Sequence, residues 1–364
     1  MDNPISVLIV DDSALMRKVL KYIINQHSDV KVVGIAMNGL FALKKLERLD
    51  IDIITLDLEM PEMGGIDFLK ERKKRGIKTP VIIISSQAKK GARITMEALT
   101  LGASDFVLKP SGSDSKSINE IGEELINLIR IYGKRHQEGR NYTFNRPHEK
   151  KEYIIPKQKS APVIKKKVKK FIGKIEIIAI GISTGGPNAL RRIFQNLNKN
   201  LPPILVVQHM PAGFTKEFAN SLNKICPLEV KEANDADIIK HGRILIAPGD
   251  MHITIEKKKL ACIIKLNNIE PVNGHRPSVG VLFNSVSETY GSNCLAIIMT
   301  GMGRDGSLEI GSIYNKGGLT IAQESSSCIV YGMPKVAVES GLIHKVIPLN
   351  KMAETINNLS KEFS

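Results

Sequence analysis

Short apolar runs and amphipathic stretches alternate five times between residues 5 and 131, and that alternation leaves few folds open. The first run, residues 7–10, leads straight into Asp11 and Asp12, and a helix over residues 14–26 follows with Ser13 placed as its N-cap. Runs at 31–36, 51–56, 81–84 and 106–108 repeat the pattern, and a last helix is expected over about 118–131. Strands joined by helices lie parallel in one sheet covered on both faces, and ligands collect at the carboxyl ends of those strands. The expectation for this part is an α/β domain built on a doubly wound parallel sheet.

The residues at the strand ends are Asp11, Asp12, Asp57, Ser85 and Lys109. Converging carboxylates repel one another unless a hard cation such as Mg²⁺ sits among them. With a lysine and a hydroxyl they make a phosphoryl site, in which one carboxylate is the nucleophile and the cation and Lys109 neutralise the transferring group. Asp11-Asp12, the run from Asp57 through Glu59-Met60-Pro61, Ser85 and Lys109-Pro110 resemble the receiver domain of bacterial response regulators, a flavodoxin-like fold. The resemblance implies that Asp57 accepts a phosphoryl group from a chemotaxis sensor histidine kinase and that Asp11, Asp12 and Asp57 hold Mg²⁺. It further implies that Ser85 and Phe106 form a switch assisted by Lys109, and that the Lys109–Pro110 peptide is cis.

At 364 residues the chain is long enough for two cores. Its formal net charge of +15 suggests nucleic-acid binding until the charges are located. Residues 134–170 carry 13 Lys or Arg against three Glu, with Pro147, Pro156 and Pro162 and few periodic apolar positions. This stretch reads as a solvated linker, so the expected division is a receiver at 1–131, a basic linker at 132–171 and a second domain at 172–364. The four cysteines are widely spaced, which indicates neither zinc nor disulfides. No apolar run approaches a membrane span and the first residues lack a signal-peptide pattern, so a cytoplasmic protein that is not membrane-embedded is expected.

In the second half, residues 178–182 form an apolar strand that delivers Ser183 to a Gly185-Gly186-Pro187 turn opening a helix. The turn offers close approach and helix N-terminal N–H groups. The strand at 204–207 ends at Gln208-His209, and that at 295–300 ends in a glycine-rich turn carrying Met302 and Asp305. Serine, histidine and aspartate at three strand ends suit nucleophile, base and orienting carboxylate, with the Met302 N–H a candidate oxyanion donor. A dinucleotide site, the main competitor for the glycine turn, wants an acidic residue where Gln208-His209 stands. His252, His275 and Arg276 lie in loops, for substrate contacts or structural hydrogen bonds.

The runs 181–187, 208–215, 247–250, 275–278, 300–306 and 331–334 are similar to the catalytic domain of the chemotaxis protein-glutamate methylesterases, here a Rossmann-like α/β domain. That resemblance implies hydrolysis of glutamate methyl esters on methyl-accepting chemoreceptors by Ser183, His209 and Asp305, without a cofactor at the esterase site. It also implies deamidation of receptor glutamines, control by phosphorylation of Asp57 and association with receptor arrays. Two other readings remain: a receiver-linked DNA-binding regulator, for which no arginine-bearing helix-turn-helix pattern is present, and a catalytically silent receptor-binding adaptor.

Overall fold

A computed structural model describes residues 3–86, 88–109, 115–144, 171 and 173–362. The receiver sheet takes β1 (Ile5–Val10), β2 (Val30–Ala36), β3 (Ile53–Asp57), β4 (Val81–Ser85) and β5 (Asp105–Leu108) in the order β2-β1-β3-β4-β5. Every pairing is parallel, and the order is the flavodoxin-like one. Its helices are α1 (Ala14–Asn25), α2 (Gly39–Leu46), α3 (Gly65–Lys74), α4 (Lys89–Thr100) and α5 (Ser115–Phe144). Ser13 caps α1 by accepting the Met16 N–H at 3.3 Å.

The second sheet contains β6 (Ile177–Ile182), β7 (Ile204–Gln208), β8 (Glu229–Glu232), β9 (Arg243–Ile246), β12 (Cys294–Ile298), β13 (Leu319–Gln323) and β14 (Lys345–Ile347). Its order is β14-β13-β12-β6-β7-β9-β8, again parallel throughout. The chain leaves β6 toward β7 on one side and later returns through β12 on the other. The gap between β6 and β12 is therefore the switch point where such sheets bind ligands. An antiparallel hairpin of β10 (His252–Lys257) and β11 (Cys262–Asn267) lies beside α8 (Val279–Tyr290). The other helices are α6 (Gly186–Phe194), α7 (Phe214–Asn223), α9 (Ile310–Asn315), α10 (Met333–Glu339) and α11 (Leu349–Glu362). No described helix is long and apolar enough to cross a membrane.

The structure departs from the sequence reading at α5, which runs to Phe144 instead of ending near residue 131. Side chains beyond 131 hold it. Tyr132 is buried and its hydroxyl donates to Asp105 Oδ2 at 3.1 Å, Gln137 donates to Asp52 Oδ2 at 2.7 Å, and Arg135 reaches the Cys328 carbonyl of the second domain at 2.8 Å. Residues 145–170, with most of the basic run, and Pro110 of the expected cis bond lie outside the described residues.

Further ties join the domains. Asn188 Nδ2 donates to the Ala103 and Ser104 carbonyls, each at 3.1 Å, and Phe106 stacks on Phe214 with ring centroids 4.9 Å apart and planes within 6°. The core under the Ser183 turn is set by α6, whose Phe194 is fully buried. Phe194→Ala removes that ring without a replacement and is expected to cost about 3–5 kcal/mol of catalytic-domain stability. Urea unfolding would show it, and a loss below about 1 kcal/mol would contradict this packing.

Candidate active site

Strand pairing alone brings three side chains to one sheet edge, because β6 pairs with β12 on one side and β7 on the other. Ser183 follows β6, His209 follows β7, and Asp305 sits in the turn after β12. The Ser183 N–H donates to the Thr300 carbonyl at 3.0 Å, and the Ser183 carbonyl accepts from Gly186 N–H at 2.8 Å and Gln208 Nε2 at 3.1 Å. The Gln208 amide also donates to the His209 carbonyl at 3.0 Å, so one side chain ties the serine turn to the histidine. A Cβ on Gly186 would lie 2.0 Å from Gln208 Oε1, so a side chain there would push the Gln208 amide out of place.

His209 Nε2 lies 2.9 Å from Asp305 Oδ2. Asp305 also accepts the Ser278 hydroxyl at 2.7 Å, the Val279 N–H at 2.7 Å, the Gly280 N–H at 3.3 Å and the Asn273 amide at 3.2 Å. Burial alone would raise the pKa of this carboxyl, but the bond to His209 and the donors from Ser278 and Val279 outweigh it and bring it to about 2. An ionised Asp305 accepts, so Nε2 carries the proton and the lone pair is on Nδ1. His209 Nδ1 is buried and has no hydrogen-bond partner among the described residues. An unpartnered ring nitrogen on a histidine held by a carboxylate is a base awaiting a donor.

Ser183 and His209 line a cleft of about 910 Å³ with Met302, His275 and Arg276 on the catalytic side. The receiver supplies the opposite wall through β5 and α5, with Phe106, Glu123, Glu124 and Asn127 among the lining residues. The N–H groups of Gly185 and Gly186, expected free, are both taken. Gly186 N–H turns back to the Ser183 carbonyl, and Gly185 N–H donates across the domain boundary to Asp105 Oδ2 at 3.2 Å. Met302 remains at the cleft, 40% exposed. His252 is buried, its Nδ1 accepting the Ser278 N–H at 3.1 Å, which makes it structural.

Sequence reasoning missed Gln208, Ser278, Asn273 and Asp105 as contributors. Ser278 caps α8, while its hydroxyl proton goes to Asp305. Asp105 opens a strand and carries no motif.

At the receiver edge, Asp11, Asp12 and Asp57 offer oxygens within 4.8 Å of one another. Lys109 Nζ is 2.7 Å from Asp57 Oδ2 and 3.7 Å from Asp11 Oδ2. Burial, opposed by Lys109 and reinforced by Asp57, lifts Asp11 to about 6, and its Oδ2 is buried without a hydrogen-bond partner. An orphaned buried oxygen among three carboxylates fits a hard divalent cation such as Mg²⁺. Ser85 donates to the Ser86 carbonyl at 3.3 Å and lies 2.7 Å from the Thr95 hydroxyl, while Phe106 is 8% exposed and turned toward Phe214.

A parallel α/β receiver joined to a second parallel α/β domain with a serine-histidine-aspartate edge is the class this fold and site define. Residues 7–118 match the response regulator receiver domain and residues 178–356 match the CheB methylesterase. A Treponema denticola protein-glutamate methylesterase/protein-glutamine glutaminase is 53% identical, with 99% of each chain covered. A Treponema pallidum protein of the same description is 47% identical over 100% of this chain and 98% of its own. The Thermotoga maritima CheB methylesterase catalytic domain matches 51% of this chain and 98% of its own at 41% identity, with a TM-score of 0.50. The chain belongs to the protein-glutamate methylesterase/protein-glutamine glutaminase family, hydrolases of chemotaxis that carry a receiver domain.

The lowered pKa of Asp305 has a pH consequence with a definite sign. A carboxyl depressed in the folded state contributes stability that is full above its unfolded value of 3.8 and is lost as pH falls through about 2. The contribution, about 2 kcal/mol, should vanish between about pH 4 and pH 2. Unfolding free energies of wild type and Asp305→Asn should therefore converge over that interval, and parallel curves would contradict the assignment.

Proposed function

We propose that this chain hydrolyses glutamate γ-methyl esters on chemoreceptors with Ser183, His209 and Asp305, and that phosphorylation of Asp57 governs access to them. The observation carrying the reading is the His209 ring, pinned at Nε2 by Asp305 with Nδ1 buried and unpartnered in the cleft that Ser183 lines. In the reaction, Ser183 Oγ attacks the ester carbonyl carbon while Nδ1 takes the hydroxyl proton. The tetrahedral centre collapses, the C–OCH₃ bond breaks, and the imidazolium returns the proton to the leaving oxygen as methanol. Water then attacks the acyl-serine with its proton drawn to Nδ1, and glutamate and Ser183 are released. Asp305 stays ionised throughout and stabilises the imidazolium. A glutamine side chain would pass through the same acyl-serine with ammonia leaving, which is the glutaminase reaction. Met302 N–H stands as the candidate oxyanion donor.

The receiver half of the proposal rests on the closed arrangement. Asp57 would take the phosphoryl group from a sensor histidine kinase, and Lys109 would neutralise it. Asp11, Asp12 and Asp57 would hold Mg²⁺, which supplies charge neutralisation during the transfer. Phe106 and Ser85 are the proposed switch, and Phe106 stacks on Phe214 of the catalytic domain while its neighbour Asp105 takes the Gly185 N–H. Any movement of Phe106 toward Ser85 would break that stack and loosen the wall over Ser183. A few kcal/mol of differential interaction suffices to shift such a two-state pair. An exclusively DNA-binding or silent adaptor role finds no support in this cleft.

Methanol release from a methylated receptor, with and without acetyl phosphate, tests both halves. Ser183→Ala should lose about 10⁴-fold or more in rate. Asp57→Asn should keep basal release and lose its response to acetyl phosphate, and retained release in Ser183→Ala would overturn the mechanism. Loss of the Asp105 carboxylate removes an interdomain hydrogen bond worth about 1.5–3 kcal/mol. Asp105→Ala should accordingly raise basal release by about 10- to 100-fold, and an unchanged basal rate would show that this contact does not hold the closed state.

A further inference from the structure

His275 belongs to no strand or helix, yet its backbone is anchored on both sides. Val272 and His275 exchange N–H···O bonds of 3.1 and 3.0 Å around Asn273-Gly274, whose φ angles of 54° and 79° are both left-handed. This is the mirror-image turn for which Asn-Gly is the preferred pair. The Asn273 side chain donates to Asp305 Oδ1 and to Glu309 Oε1, each at 3.2 Å. Past the turn, Arg276 bonds Asp250 Oδ1 at 2.8 and 2.6 Å and the carbonyls of Asn268 and Ile269 at 3.0 and 3.2 Å. Between these anchors the His275 ring lies flat on His209, with centroids 3.8 Å apart and planes within 10°.

The bond from His209 Nε2 to Asp305 adds a second anchor to the covalent link at Cγ, and the ring plane can still tilt through the Cβ–Cγ torsion. A flat neighbour removes that freedom. We propose that His275 is a positioning residue for the hydrolysis: its ring, seated by the Asn-Gly turn, stops the His209 ring plane from tilting and keeps Nδ1 in place for the Ser183 proton. This rests on His209 being the base. Burial and the adjoining His209 ring push the His275 pKa down to about 4, so no second positive charge faces the imidazolium that forms on His209 during the reaction. The same turn thus grips the carboxylate through Asn273 and the base through His275.

The test measures kcat and KM for methanol release by the full-length chain on a methylated chemoreceptor fragment with acetyl phosphate present. His275→Ala and His275→Leu remove the flat face, and His275→Phe restores it without ring nitrogens; Ser183→Ala and His209→Gln serve as controls. Misplacing a reacting group by about 1 Å costs on the order of 100-fold, so His275→Ala and His275→Leu should lose about 10- to 100-fold in kcat, with KM within about twofold. His275→Phe should recover to within about fivefold of wild type, a rescue that a purely chemical role for the histidine would not allow. An unimpaired His275→Ala, a loss confined to KM, or a His275→Phe as slow as His275→Leu overturns the proposal while inactive controls leave the active-site reading standing. Wild-type rates in Ser183→Ala and His209→Gln overturn that reading, and this proposal with it.

Discussion

A single buried carboxylate holds the catalytic edge together. Asp305 accepts five hydrogen bonds, from His209, Ser278, Asn273 and the first backbone N–H groups of α8. An ion taken out of water is costly unless it is fully satisfied, and here donors from a strand end, a helix start and a tight turn satisfy it together. Loss of the charge would leave those donors buried without an acceptor. The position of the base, the start of α8 and the Asn-Gly turn therefore depend on one charge.

The receiver's acidic edge shows the opposite outcome for the same side chain. Asp11 is as buried as Asp305 but receives one backbone donor, from Ser13 at 2.8 Å, and a distant lysine. Its pKa rises to about 6 where that of Asp305 falls to about 2. What differs is the supply of donors and the repulsion from Asp57 and Asp12, not the exposure of the side chain. One site is electrostatically complete within the protein, and the other is short of positive charge.

These two edges are joined where α4 of the receiver packs on α7 and α6 of the catalytic domain and where β5 and α5 reach the Ser183 side. Asp105 and Phe106, adjacent on β5, face respectively the turn behind Ser183 and the α7 ring of Phe214. Successive residues of a strand point to opposite faces, so a receiver strand can place one side chain toward the Gly185 turn and Tyr132 while the next meets α7. Asn188 and Arg135 add hydrogen bonds to backbone carbonyls across the boundary.

Local patterning was enough to determine the two parallel α/β domains, since apolar runs of strand length alternating with amphipathic helices have few other solutions. It also located Asp11, Asp57, Ser85, Lys109, Ser183 and His209, because the apolar runs stop at or beside them, whereas Asp305 lies further on in the glycine-rich turn after β12. The tail of α5 escaped it: a charged stretch carries no helical signature until Tyr132, Arg135 and Gln137 find their partners far away in the chain. Only the tertiary structure decided that His209 uses Nε2 toward Asp305, that Ser278 gives its proton to Asp305, that Gln208 ties serine to histidine, and that Asp105 takes the Gly185 N–H. Apart from the bond between the neighbours Gln208 and His209, these join groups 25 to 96 residues apart, and sequence periodicity reports the face a residue occupies, not the partner it meets across a sheet edge.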